Sequence, residues 1–333
     1  MGKHTKPNIT DLTDLMDILH LMRHDPSLGS ALEAQYPQEY RNALRLASVT
    51  ALMYQPFATT SDQEGAQVGF LSSRARNKWA ITGNRCGKTL TALIENWYDC
   101  MLLDPITGGP SRKFFEPIGM WVVTDTEETS IDIIERTFAE QCLGLDEGGM
   151  GWQLVDDKVS YSRKGGFSDH MVRFYNGSWI RFKFSTQKRR TFQGESLHKA
   201  HLDEEQPPDI YSEVRTRLID QHGYFIGTMT PIYEKSKGVS WVYEDLYIQK
   251  EAKNLEFHHW TLWDNPYITA EAKKELMTEW QEDEIEARVY GMFVPMGVKL
   301  AFSGDLIRKQ ELTCETPEEA TLGLTPDGKV ELV

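Results

Sequence analysis

Lys78-Trp79-Ala80-Ile81-Thr82-Gly83-Asn84-Arg85-Cys86-Gly87-Lys88-Thr89 is the stretch on which the fold turns. Residues 78–82 form a short, mostly apolar run of strand length. A glycine-bounded loop follows, and the residues from Thr89 to Met101 carry helical periodicity. A strand that turns through glycines into the first turn of a helix makes a phosphate cradle. Backbone N–H groups converge inside the loop, and the helix N-terminus adds partial positive charge. Gly83, Asn84, Arg85, Cys86 and Gly87 are the expected loop contacts to a nucleotide. Lys88 is expected to reach its β and γ phosphates, and the Thr89 hydroxyl to ligate Mg²⁺. The loop departs from the usual pattern at its start: Thr82 stands where the first glycine belongs, and Gly83 comes one place later.

Short apolar runs continue to alternate with helical patterns on the C-terminal side. Ile118 to Thr124 reads as a buried strand and Ser130 to Cys142 as a helix. Met171 to Tyr175 and Ser178 to Phe184 read as a hairpin about the turn Asn176-Gly177. His198 to Leu202 is a further strand, Pro208 to Ile219 a helix and Tyr224 to Thr228 a strand. This alternation predicts an α/β fold, an open and mostly parallel sheet flanked by helices, with ligands at the carboxyl ends of the strands. Leu12, Leu15, Met16, Ile18 and Leu19 predict a helix in a segment spanning residues 1–52, with a second over Pro37 to Leu52. The expected organisation is this helical segment, a phosphate-loop core over 53–232, a small α-rich lid over 233–300 with helices at Thr269–Met277 and Glu282–Tyr290, and a tether over 301–333.

Two further motifs complete the expected chemistry. Asp203 and Glu204 end a strand about 115 residues beyond Lys88. Adjacent carboxylates point in different directions, so Asp203 can serve the metal while Glu204 acts as base toward the attacking water. Gly227-Thr228-Met229-Thr230-Pro231 ends another strand, where Thr228 and Thr230 are placed to link hydrolysis to motion. Upstream, Gln67 is the candidate to read the adenine edge.

With these elements in order, the chain resembles the large subunit of the tailed-phage terminases. The residues that carry the resemblance lie between Tyr54 and Gly291: Gln67-x-x-Phe70 with Arg74, the GNRCGKT loop, Phe192-Gln193-Gly194, LDEEQPP with Tyr211, Glu213 and Arg217, and GTMTP. The resemblance implies an ATP-fuelled, Mg²⁺-dependent motor that threads double-stranded DNA into a procapsid. It implies a homo-oligomeric ring, expected as a pentamer, with the portal protein and the terminase small subunit as partners, at the portal vertex in the host cytoplasm. It also implies that Arg85 senses the γ-phosphate. Gln193 stands where some members carry an arginine that reaches a neighbour's nucleotide. Arg189 and Arg190, close upstream, are then candidates to act in trans or to contact DNA.

Composition narrows the alternatives. A net charge of −14 argues against a broadly basic surface, though not against a local basic patch. No apolar run approaches a membrane span, so no membrane partner is expected. The four cysteines form no CxxC pair, which speaks against a zinc site. The competing readings are a helicase or other translocase, which needs a second full α/β domain after the third motif, and a non-hydrolysing ATP-binding assembly subunit. Family members continue into a nuclease domain. Residues 301–333 hold acids but no scaffold to converge them on two metals, so no nuclease activity is expected of them.

Overall fold

The computed structural model describes residues 29–35, 54–58, 65–144, 151–232, 240–280, 282–293, 322–324 and 330–332. The helices expected over 12–19 and 37–52 lie outside them. A short helix, α1, covers Gly29–Gln35.

The strand-loop-helix at the centre forms as its sequence requires. Strand β1 covers Asn77–Thr82 and helix α3 covers Lys88–Cys100, preceded by helix α2 at Ala66–Ser72. The remaining strands of the main sheet are β2 (Gly119–Thr124), β5 (Met171–Arg173), β6 (Trp179–Phe184), β7 (Lys199–Asp203), β8 (Tyr224–Met229) and β9 (Glu256–Trp260). Between β2 and β5, β3 (Tyr161–Ser162) and β4 (Gly166–Phe167) pair in a small separate sheet. The seven-stranded order is β5-β6-β2-β7-β8-β1-β9, parallel throughout except for the β5–β6 hairpin. This is the α/β architecture expected from the strand-helix rhythm. Acid strand β7 and third-motif strand β8 lie directly beside one another, and β8 lies beside β1.

The last sheet position was not foreseen. Strand β9 comes from the segment read as a small α-rich appendage, and it pairs in parallel with β1 from Lys78↔Glu256 to Thr82↔Trp260. Helices α6 (Ala270–Thr278) and α7 (Glu282–Arg288) follow it, close to the predicted pair. The helix expected at 130–142 begins at Glu127–Thr129, labelled α4, and continues in π-type turns over Ser130–Glu135 and Phe138–Leu143. The helix after β7 is α5, Pro208–Arg217. Separately, β10 (Leu322–Leu324) and β11 (Val330–Leu332) form an antiparallel pair.

Both faces of the sheet centre are covered, so β2 and β7 are buried end to end, while the edge strand β9 is buried only at Trp260. Met120 and Val122 of β2 face a layer with Leu93, Ile94, Trp97, Phe138 and Phe182. Trp121 and Val123, on the opposite face by the period of two, join Trp79, Leu202, Ile210 and Val214.

The first layer also contains charge. Glu95 and Asp99, one turn apart on α3, meet Lys78 of β1, Lys199 of β7 and Lys113 of the α3–β2 connection. Lys78 lies 3.0 Å from Glu95, Lys113 2.5 Å from Glu95 and 3.1 Å from Asp99, and Lys199 2.5 Å from Asp99. Burial lowers the Lys78 ammonium to about 8, against the pull of Glu95. Burial works to raise Glu95, but Lys113, Lys199 and Lys78 outweigh it and hold the carboxyl well below the usual range. A buried ion cluster is costly to break from one side, because the abandoned charge keeps its desolvation penalty. Lys199→Met is therefore expected to destabilise the fold by about 3–5 kcal/mol. Denaturant unfolding measures this, and a loss below about 1 kcal/mol would show that the cluster re-pairs without Lys199.

Candidate functional site

The loop between β1 and α3 holds two residues in the left-handed region, Arg85 at φ 58° and Gly87 at φ 77°. Such a backbone is disfavoured unless its surroundings fix it, and here several do. Gln67 Nε2 and Trp260 Nε1 both donate to Cys86 O, at 3.3 and 2.8 Å. Asn265 Nδ2 donates to Arg85 O at 2.8 Å, and Asn84 N donates to Arg288 O at 2.6 Å. Gly83 admits no side chain, since a Cβ would lie 2.5 Å from Arg288 O.

Gln67, the candidate to read the adenine edge, is thus one of these braces. It is 2% exposed, and its Oε1 accepts from Tyr54 Oη at 2.5 Å while one N–H of its amide holds the loop. Its place is beneath the loop as a brace. Trp260, Asn265 and Arg288 share that work, and the sequence reading missed all of them.

The residues expected to do chemistry do converge. Lys88 Nζ lies 2.9 Å from Glu204 Oε1 and donates to Thr230 Oγ1 at 2.8 Å. The Thr89 hydroxyl donates to Asp203 Oδ1 at 2.9 Å, and the Thr228 hydroxyl donates to the same oxygen at 2.7 Å. Glu204 has φ 61°, a strained value for a residue with a side chain. Two bonds hold it there: its N–H donates to Thr228 O at 2.7 Å, and its Oε2 accepts from Thr230 N at 2.9 Å. The strain turns Glu204 away from the line of the strand, so that Asp203 and Glu204 address different partners.

The charges are tuned by this packing. Desolvation raises the Glu204 carboxyl above its ordinary value; Lys88 pulls it down and Asp203 pushes it up again. The side chain still keeps 47% of its surface open, so it sits at the mouth of the recess rather than inside the core. Burial likewise raises Asp203, against Lys88 and the two threonine hydroxyls. Burial acts to lower Lys88, but Glu204 and Asp203 outweigh it and leave the ammonium above its usual range. His201, fully buried behind β7, is lowered to about 3 by burial and by Lys199, and is neutral.

The other candidates, Arg85, Arg189 and Arg190, are exposed. Arg85 is exposed on the loop. Arg189 and Arg190 open a 3₁₀ turn, Arg189–Phe192, on the outer side of α5. Arg189 Nη2 donates to Glu213 Oε2 of α5 at 3.4 Å, while Arg190 is exposed.

A parallel sheet with a braced phosphate loop, a lysine and threonine at the start of α3, and two carboxylates on an adjacent strand end defines a P-loop NTPase. No family model matches the chain. It is similar to the terminase large subunit of Salmonella phage P22, 26% identical over 234 residues, which cover 64% of this chain and 46% of that protein. A second relative is the terminase large subunit of Enterobacteria phage LP7, 27% identical over 175 residues and covering 50% and 36%. The chain thus spans less than half the length of these curated relatives. Among solved structures, the large-terminase ATPase domain of Thermus phage P74-26 superposes with a TM-score of 0.52 at 18% identity, covering 75% of this chain and 97% of that one. The large terminase of another thermophilic bacteriophage, solved in complex with ADP, superposes with a TM-score of 0.53 at 15% identity, covering 72% and 54%. The chain is thus similar in sequence to phage terminase large subunits, and it shares its fold with the solved large-terminase ATPase domain.

Proposed function

We propose that this chain is the ATP-hydrolysing motor of a DNA-packaging terminase large subunit, and that it moves double-stranded DNA into a procapsid. The observation that carries this reading is the cluster at the start of α3, in which Lys88 bonds Glu204 and Thr230 while the adjacent Thr89 bonds Asp203.

The Thr89 hydroxyl and the Asp203 carboxylate are hard oxygen donors, which fit Mg²⁺; that ion takes few protein ligands and completes its shell with water and phosphate. Bound there, it would neutralise charge building on the phosphates. Thr89 keeps lone pairs free while its proton goes to Asp203. Lys88 must leave Glu204 to serve the phosphates of an incoming nucleotide. Glu204 is then released on that side, still held by the Thr230 N–H, with a carboxyl whose raised proton affinity suits a general base. Thr230 touches both Lys88 and Glu204, and Thr228 touches Asp203, so a shift at the end of β8 is felt by all three. In this reading residues 53–232 do the chemistry, and the segment over 233–300 acts as a lid whose Trp260, Asn265 and Arg288 grip the loop.

Purified protein given Mg²⁺ and ATP is expected to release phosphate, faster with double-stranded DNA present. Binding without turnover would instead indicate an assembly subunit, and unwinding of a forked duplex a helicase. The working form is a homo-oligomeric ring on the portal protein, with the small subunit delivering DNA. Within it Arg190, with Arg189 if the Glu213 pair opens, reaches the neighbour's nucleotide. Mixing an Arg189→Ala/Arg190→Ala protein with a Lys88→Ala protein is then expected to recover several-fold more ATPase than either alone. No recovery, with weakened DNA binding by the double arginine variant, would assign the arginines to the DNA backbone.

A further inference from the structure

A string of buried side chains reaches the acid strand from the side that the chemistry above leaves unused. Asn96 of α3, His201 of β7 and Thr228 of β8 are all fully buried. Asn96 Nδ2 lies 3.1 Å from His201 Nδ1, His201 Nε2 lies 2.9 Å from Thr228 Oγ1, and Thr228 Oγ1 lies 2.7 Å from Asp203 Oδ1. The direction of the string follows from its end. A carboxylate has no proton to give, so Thr228 donates to Asp203. A hydroxyl has one proton, so toward His201 the Thr228 oxygen only accepts, and the hydrogen is on Nε2. The Asn96 amide lies against the other ring nitrogen, Nδ1, and holds the ring from that side.

We propose that His201 and Asn96 are positioning residues for the hydrolytic site, fixing the Thr228 hydroxyl so that its proton always points at Asp203. With Thr228 so held and Thr89 donating to the same oxygen, the Asp203 carboxylate is clamped in one rotation. The string also ties together the three elements that carry the site: α3, which begins at Lys88 and Thr89, β7, which ends at Asp203, and β8, which leads to Thr230. A histidine serving only as core filler would not need a partner that itself bonds the Asp203 carboxylate. The proposal rests on the ATPase reading for its consequences, but not for its geometry.

Two measurements test it on the full chain. The first is the ¹⁵N spectrum of the His201 ring in the wild-type protein, expected to show a protonated Nε2. The opposite tautomer would reverse the string and overturn the proposal, and this holds whether or not the wild type hydrolyses ATP. The second compares His201→Phe with His201→Gln. Removing a residue that orients a metal ligand costs roughly 10–100-fold in metal affinity or activity. His201→Phe is expected to raise the half-saturating Mg²⁺ for ATPase, or lower kcat, by about that factor, while ATP binding in EDTA stays within about twofold of wild type. His201→Gln, whose amide can donate from near the position of Nε2, is expected to recover part of the loss. Unchanged Mg²⁺ dependence and kcat in a folded His201→Phe protein would make His201 a packing residue only. If that variant does not fold, His201→Gln and the tautomer decide. A wild type that does not turn over ATP refutes the ATPase reading and leaves the tautomer to judge the string.

Discussion

Glu204→Gln is expected to bind ATP at least as tightly as the wild type and to turn it over about 10²–10⁴ times more slowly. The first half follows from the pairing of Lys88 with Glu204. Lys88 is held by Glu204 at 2.9 Å, and that pair must part before the ammonium can serve a phosphate. An amide holds Lys88 less strongly than a carboxylate, so the cost of parting falls. The second half follows because an amide takes no proton from water. The variant still has an oxygen for the Thr230 N–H, so the backbone around position 204 has reason to keep its shape. Nucleotide titration and single-turnover phosphate release read the two effects separately. Turnover near the wild-type rate would move the base elsewhere. Glu205 is the adjacent carboxylate, and its Oε1 accepts from Trp241 N at 3.0 Å.

Lys88→Ala is expected to lose both binding and turnover. A hydrogen bond to a charged group is worth about 1.5–3 kcal/mol, so losing the ammonium from the phosphates weakens ATP binding on the order of tenfold to a hundredfold or more. Lys88 also offsets Asp203 and Glu204, which would otherwise face a polyphosphate uncompensated. Hydrolysis is expected to fall below detection. Binding within threefold of wild type would mean that the backbone cradle alone holds the nucleotide.

Much of this site could be read from sequence because its signals are local. A strand that turns through Gly83 and Gly87 into a helix, or an acidic pair at the end of an apolar run, is legible within a dozen residues. What was not legible depends on contacts distant in sequence. Strand β9 reads Glu256-Phe257-His258-His259-Trp260, with little alternation and few β-branched residues. Its extended form comes from pairing with β1 and from Trp260 and His258 packing edge-on against Phe70. A glutamine ahead of a phosphate loop is consistent both with reading a base and with bracing the loop, and the contacts to Tyr54 and Cys86 that make Gln67 a brace join residues apart in sequence. Glu95, Asn96 and Asp99 did carry a signal. Three polar residues in the otherwise apolar stretch from Ala92 to Cys100 ask for buried partners, but those partners come from β1, β7 and the α3–β2 connection.

The grip of Trp260, Asn265 and Arg288 on residues 84–86 has a thermodynamic consequence. Because the loop shape and the position of the segment from β9 to α7 are hydrogen-bonded to each other, their equilibria are linked. A binding partner that favours this segment in its nucleotide-bound arrangement must tighten ATP binding, and ATP must tighten that partner's hold by the same factor. A contact made on the far side of Trp260 can therefore set the affinity for nucleotide without approaching a phosphate.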